Sequence, residues 1–214
     1  MRRNAFFLSL LAAALCALPA AARAEDGGAG ESLPPPLRIS LDASPVSNGI
    51  YEVLGADGYK VSSLGATIST SAAYVVVNGF EMGGGAAFSA PYDRALWQFR
   101  PYAMVRAYLP LAGDWLELGA AFRLGAGLVW LPLTWAETNE GPRMHEVAFY
   151  AGPNGALTLD ARVWIGKRVG VTLSGEASML FAPQLNTVRQ PYFSRGTALG
   201  SLAAGPSIGV AFRL

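Results

Sequence analysis

The sequence predicts an all-β fold, an antiparallel up-and-down transmembrane β-barrel of about eight strands. Three observations predict it. After residue 36, apolar and polar residues alternate over long stretches, the period-2 pattern of strands. The chain is 52% hydrophobic, yet no segment reads as a spanning helix: 61–80 and 196–212 lack charge but are full of Gly, Ser and Thr. The connections between the alternating segments are short and long in turn, as in a membrane barrel.

The N-terminus reads as an export signal. Arg2 and Arg3 supply the positive end, residues 5–18 are apolar apart from Ser9, and Ala22 and Ala24 are spaced for cleavage. Residues 1–24 are thus expected to be a signal peptide, removed after Ala24. The only cysteine, Cys16, falls inside it, and Leu15 and Ala13 before it do not fit a lipoprotein signal. The mature chain would hold no disulfide and no thiolate metal site. Of 16 basic residues, Arg2, Arg3 and Arg23 leave with the signal, so 13 remain against 15 acidic ones. That balance, without a basic block, argues against nucleic-acid binding. Residues 25–36 (EDGGAGESLPPP) form a flexible, then stiff, periplasmic leader.

Eight strands follow, at 37–46, 59–76, 80–90, 97–109, 115–130, 149–165, 169–182 and 198–214. The connections after the second, fourth and sixth are short: 77–79, 110–114 and 166–168. The first contains Asn78-Gly79, the strongest short hairpin signal. Those after the first, third, fifth and seventh are longer, at 47–58, 91–96, 131–148 and 183–197. The fifth strand alternates most clearly. Leu116, Leu118, Ala120, Phe122, Leu124, Ala126, Leu128 and Trp130 share one face; Glu117, Gly119, Ala121, Arg123, Gly125 and Gly127 share the other.

A soluble sandwich or lipocalin-like barrel would alternate too, with the apolar face inside. Strand length favours the membrane, since several strands exceed the roughly 5–6 residues usual in soluble sheets. The polar face is rich in Gly, Ala and Ser, which suits a crowded lumen. Tyr74, Trp97, Tyr108, Trp115, Trp130, Trp135, Tyr150 and Phe181 sit near strand ends, as an interfacial belt requires. Gly83-Gly84-Gly85 lies inside a strand, where close packing or a bend explains it better than a phosphate loop.

The inward face carries five basic residues, Arg38, Arg100, Arg106, Arg123 and Arg162, and five acidic ones, Asp42, Glu81, Glu117, Asp160 and Glu176. An eight-stranded barrel is just wide enough for side chains to fill. Opposite charges there are expected to pair into a plug, because an unpaired buried charge is strongly unfavourable. Adjacency of the fifth and sixth strands suggests Arg123 with Asp160 and Glu117 with Arg162. Gly119, facing inward, is expected to accept a small polar side chain. The sharper alternative is a narrow gated path. No cofactor or metal is expected, since nothing has ligand spacing.

The chain ends SIGVAFRL, with Ile208, Val210, Phe212 and Leu214 on one face. This resembles the terminal strand that the barrel-assembly machinery recognises in outer-membrane proteins, although Leu214 stands where that family usually has Phe. With the signal peptide and the strand plan, residues 37–214 look like the small barrels of the OmpA, OmpX and OmpW type. The resemblance implies residence in the outer membrane among its lipids and lipopolysaccharide, assembly by that machinery, and loops facing an unidentified surface partner. A peptidoglycan-binding domain after the barrel is not expected. The resemblance also admits a channel for small or hydrophobic solutes. Small lipid A-modifying enzymes share the architecture, but the deacylase type has Ser two residues after its His; here Val147 stands two residues after His145, which reads as a solvated loop residue. A non-enzymatic structural or surface-interaction role is therefore expected.

Overall fold

The computed structural model describes residues 37–54, 60–92, 96–111, 115–136, 143–186 and 198–214. Residues 1–36, expected to be signal peptide and leader, lie outside the described residues. Eight antiparallel strands, β1 (Leu37–Leu54), β2 (Lys60–Val77), β3 (Phe80–Pro91), β4 (Trp97–Leu111), β5 (Leu116–Ala136), β6 (Arg143–Ile165), β7 (Val169–Pro183) and β8 (Ala198–Arg213), pair in chain order. β1 pairs with β8, from Arg38 opposite Arg213 to Leu54 opposite Ala198, so the sheet closes. Closure leaves no strand edge, the condition for a sheet that meets hydrocarbon.

Local sequence explains the turns. Gly79 (φ 90°) and Gly166 (φ 74°) occupy the left-handed region, which glycine enters without a Cβ penalty, and each begins a tight return between strands. On β4 the alternation is plain: Arg100, Tyr102, Met104, Arg106 and Tyr108 are buried, while Pro101, Ala103, Ala107 and Leu109 are exposed. The polarity is inverted relative to a soluble domain. Glu81 and Glu117 are 1% exposed, whereas Phe122 is 51% and Leu124 58% exposed. Along β5 the outward apolar run goes from Leu116 to Leu128; at roughly 3.3 Å per residue and a tilt near 40° it forms a band about 30 Å tall, matching a bilayer core.

Aromatics frame that band, with corrections to the expected belt. Tyr74, Trp115 and Phe181 are exposed, and Phe88 stacks at 5.6 Å on Trp97, whose strand partner is Trp130. Tyr108 and Tyr150 instead point inward and are buried, because they share strand faces with Arg106 and Ala148. The Trp135 side chain lies outside the described residues.

Strand lengths also differ from expectation. β1 continues past residue 46 to Leu54 through a register shift between Ser44 and Ser47. β5 and β6 pair without interruption to Ala136 opposite Arg143, so 131–136 and 143–148, read as loop, are ladder. His145 is a strand residue whose Cα partner is Thr134. Outside the membrane a ladder needs backbone partners but no apolar alternation, so the pattern fades before the strand does. The glycine run of β3 reflects close approach: a Cβ on Gly83 or Gly85 would lie 2.0 Å from the carbonyl oxygen of Ala72 or Thr70.

Candidate functional site: the charged lumen

All ten inward charges singled out from the sequence lie on lumen-facing positions. The short-turn end holds a cluster contributed by six strands. Glu81 of β3 pairs with Arg38 of β1 and with Arg106 Nη1 of β4 at 3.1 Å. Glu117 of β5 accepts from Arg38 Nη1 at 3.0 Å, Arg213 Nη2 of β8 at 2.9 Å and the Trp164 indole N–H of β6 at 2.8 Å. Arg106 grips Asp160 of β6 in a two-pronged fork, Nε–Oδ1 2.9 Å and Nη2–Oδ2 2.6 Å. Planar guanidinium suits this geometry, and the fork is stronger than a single bond. Trp164 and Tyr108 lie under the cluster: the Arg213 guanidinium sits 3.7 Å from the Trp164 ring centre and that of Arg38 4.7 Å from the Tyr108 ring centre.

A second cluster lies further toward the long-loop end. Glu176 of β7 pairs with Arg123 of β5 and with Arg100 Nη1 of β4 at 3.3 Å, and Arg100 also donates to Ser178 Oγ at 2.7 Å. Above this, inward-facing Val129, Leu131, Ala148, Tyr150, Leu180 and Leu199 are buried and cap the lumen with apolar surface. Gly127 leaves room for that cap, since a Cβ there would meet Leu180 Cδ1 at 2.5 Å.

Strand adjacency gives one of the two pairs it suggests. Glu117 and Arg162 are Cα partners and form a long ion pair, Arg162 Nη1 lying 4.0 Å from Glu117 Oε2. Asp160, however, pairs with Arg106 rather than Arg123, and Arg123 pairs with Glu176. Long arginines reach across a narrow lumen, so the pairs join β4 to β6 and β5 to β7. Gly119, opposite Asp160 in the ladder, is the passage for this reach: a Cβ there would lie 2.6 Å from Arg106 Nη2. A side chain added at Gly119 must therefore displace the end of the Arg106 side chain.

Asp42 stands apart. It accepts from Ser40 Oγ at 3.3 Å but has no ion-pair partner among the described residues, and its Oδ1 has no hydrogen-bond donor. It borders two cavities of about 30 Å³ each, space enough for a water molecule in each. Sequence reasoning missed Arg213, although strand parity places it inward beside outward Phe212. It also missed the inward aromatics Tyr102, Tyr108 and Tyr150. The terminal side chains Ile208 and Leu214 are exposed, and Val210 and Phe212 are half-buried on the same outward side.

No family model matches the chain, and no curated protein matches it by sequence. Solved structures do match. The chain is similar to Neisserial surface protein A (NspA), at 12% identity and a TM-score of 0.52, over 83% of this chain and 97% of that one. OprG from Pseudomonas aeruginosa aligns at 8% identity and a TM-score of 0.43 over 84% and 98%. The outer membrane protease OmpT from Escherichia coli aligns at 9% and 0.41 over 86% and 99%. The likeness to NspA concerns the fold, and with the eight-stranded closed ring and inverted polarity it gives this chain the architecture of the small outer-membrane β-barrels.

Proposed function

We propose that the protein is a non-enzymatic outer-membrane barrel, closed by its ion-pair plug, that works by holding a rigid wall in the membrane and presenting its long-loop side to a surface partner. The carrying observation is what occupies the lumen among the described residues: two clusters of paired charge and an apolar cap, with two cavities of about 30 Å³ beside Asp42. The long β5–β6 hairpin supports the presenting role. Leu185 N–H donates to Phe149 O, and the Asn186 side chain bonds the backbone of both Val147 and Phe149 at 2.7 Å, bracing that hairpin from β7. In this reading the signal peptide carries the chain to the periplasm, the assembly machinery receives it through Ile208, Val210, Phe212 and Leu214, and lipids with lipopolysaccharide surround the apolar band.

Planar-bilayer recording of the refolded protein tests the plug. The wild type should be silent, and Glu117→Ala should open measurable conductance by freeing Arg38 and Arg213. Stable wild-type openings would instead establish a narrow channel.

A further inference from the structure

We infer that the barrel wall carries a binding groove for the hydrocarbon tail of a membrane lipid in the leaflet on the long-loop side; this rests on the membrane reading above. The groove is an external depression of about 800 Å³ over β5 to β8. Phe122, Leu124, Leu157, Met179, Phe181 and Leu202 line it, and Gly155, Ala177 and Gly200 are among its lining residues.

Two open glycines mark this patch. Several other strand glycines are required by what touches them: a backbone carbonyl at 2.0 Å from an added Cβ at Gly83, Gly85, Gly125 and Gly152, or a lumen side chain at Gly119 and Gly127; Gly175 of β7, outside the groove, is open as well. At Gly155 and Gly200 nothing lies nearer than 3.9 Å. A strand glycine with open space beside it weakens the strand and gains nothing from the fold. Its use is the space itself, which keeps the depression clear between large apolar neighbours.

The wall is also altered at this level. Pro153 has no N–H to give the ladder, and the regular β6–β7 pairing stops at Asn154 opposite Leu180, resuming as a bridge from Tyr150 to Gln184. The side-chain amide of Asn154 donates to Met179 O at 2.8 Å across the same seam. Depth and chemistry then name the occupant. Exposed Glu52, opposite Gly200 in the ladder, lies at the loop-side end of the groove, and below it the outward residues belong to the apolar band. A ligand there meets almost no polar atoms. A flexible chain conforms to such a depression, whereas the convex wall of a second barrel does not.

The test uses the full chain, refolded into dimyristoylphosphatidylcholine vesicles containing phosphatidylcholine spin-labelled on its acyl chain. Electron paramagnetic resonance counts motionally restricted lipids per barrel. The variant Gly155→Leu with Gly200→Leu fills the groove where the backbone has room; Ala120→Leu adds the same bulk on the outward face of β5 outside it. Heat-modifiable gel mobility confirms folding, and Ala177→Leu replaces the double variant if that fails to fold. The filled variant should lose restricted lipid relative to wild type, and Ala120→Leu should not. Equal counts in all three proteins overturn the groove. So does a crosslinked wild-type dimer that filling abolishes, which would assign the patch to a second copy. A wild type that stays outside the vesicles and is fully digested by added protease overturns the membrane reading itself, visibly before any variant is compared.

Discussion

At Gly119 the Arg106 side chain passes close to the backbone, so a carbon added there would crowd its guanidinium. Gly119→Ser should destabilise the barrel by roughly 1–3 kcal/mol, the range for overpacking a filled interior. Gly175→Ala, where nothing lies within 4 Å of the added carbon, should stay within about 0.5 kcal/mol. Urea titrations in lipid vesicles compare the two, and equal effects would contradict the lumen geometry. The same titrations on a double-mutant cycle should give Arg106 and Asp160 a coupling of about 1–3 kcal/mol, and Arg123 with Asp160 nearly none. Strand parity made the inward charges legible in the sequence, because a residue's face follows from counting by two. Partners were legible only in part: Glu117 does pair with Arg162, at 4.0 Å, but Asp160 pairs with Arg106. An arginine side chain spans the lumen, so its choice depends on which opposing position is a glycine, and that requires the register of strands distant in sequence.

Strands test the membrane reading by depth. Phe122 lies near the middle of the outward run of β5 and Leu118 near its short-turn end. Phe122→Arg should cost roughly 2–4 kcal/mol in vesicles, and Leu118→Arg less, because the penalty falls toward the interface. Tolerance of both would mean that this face does not meet hydrocarbon. At β8, deletion of Phe212-Arg213-Leu214 removes Cα partners of both β1 and β7, and should leave the chain degraded before it reaches the membrane. Normal levels of the truncated protein in the membrane fraction would refute this. The membrane-crossing parts of the strands were readable because lipid and lumen impose opposite demands on alternate residues. The outer ends of β1, β5 and β6 were not. There Pro132 or Glu146 breaks the apolar alternation without breaking the ladder.

Across the whole molecule, the polarity is inverted: apolar side chains face out from the wall and paired charges face in. The ring of eight strands was readable from the rhythm of short and long connections. The apolar cap of Leu131, Ala148, Tyr150, Leu180 and Leu199 was legible only in part, because Leu131 and Ala148 lie in a segment whose composition resembles a loop. The lumen also bears on how the ring is completed. Arg38 and Arg213 face each other as Cα partners where the first strand meets the last, and both reach Glu117 on the fifth. Two like charges side by side would push the joint apart without that shared carboxylate. A one-residue slip of β8 against β1 would turn Arg213 out into hydrocarbon and leave Glu117 short of a partner. Glu117 therefore fastens the seam from across the lumen: its bonds from Arg38 and Arg213 come from the two strands that close the ring, and both belong to the observed alignment of β1 with β8.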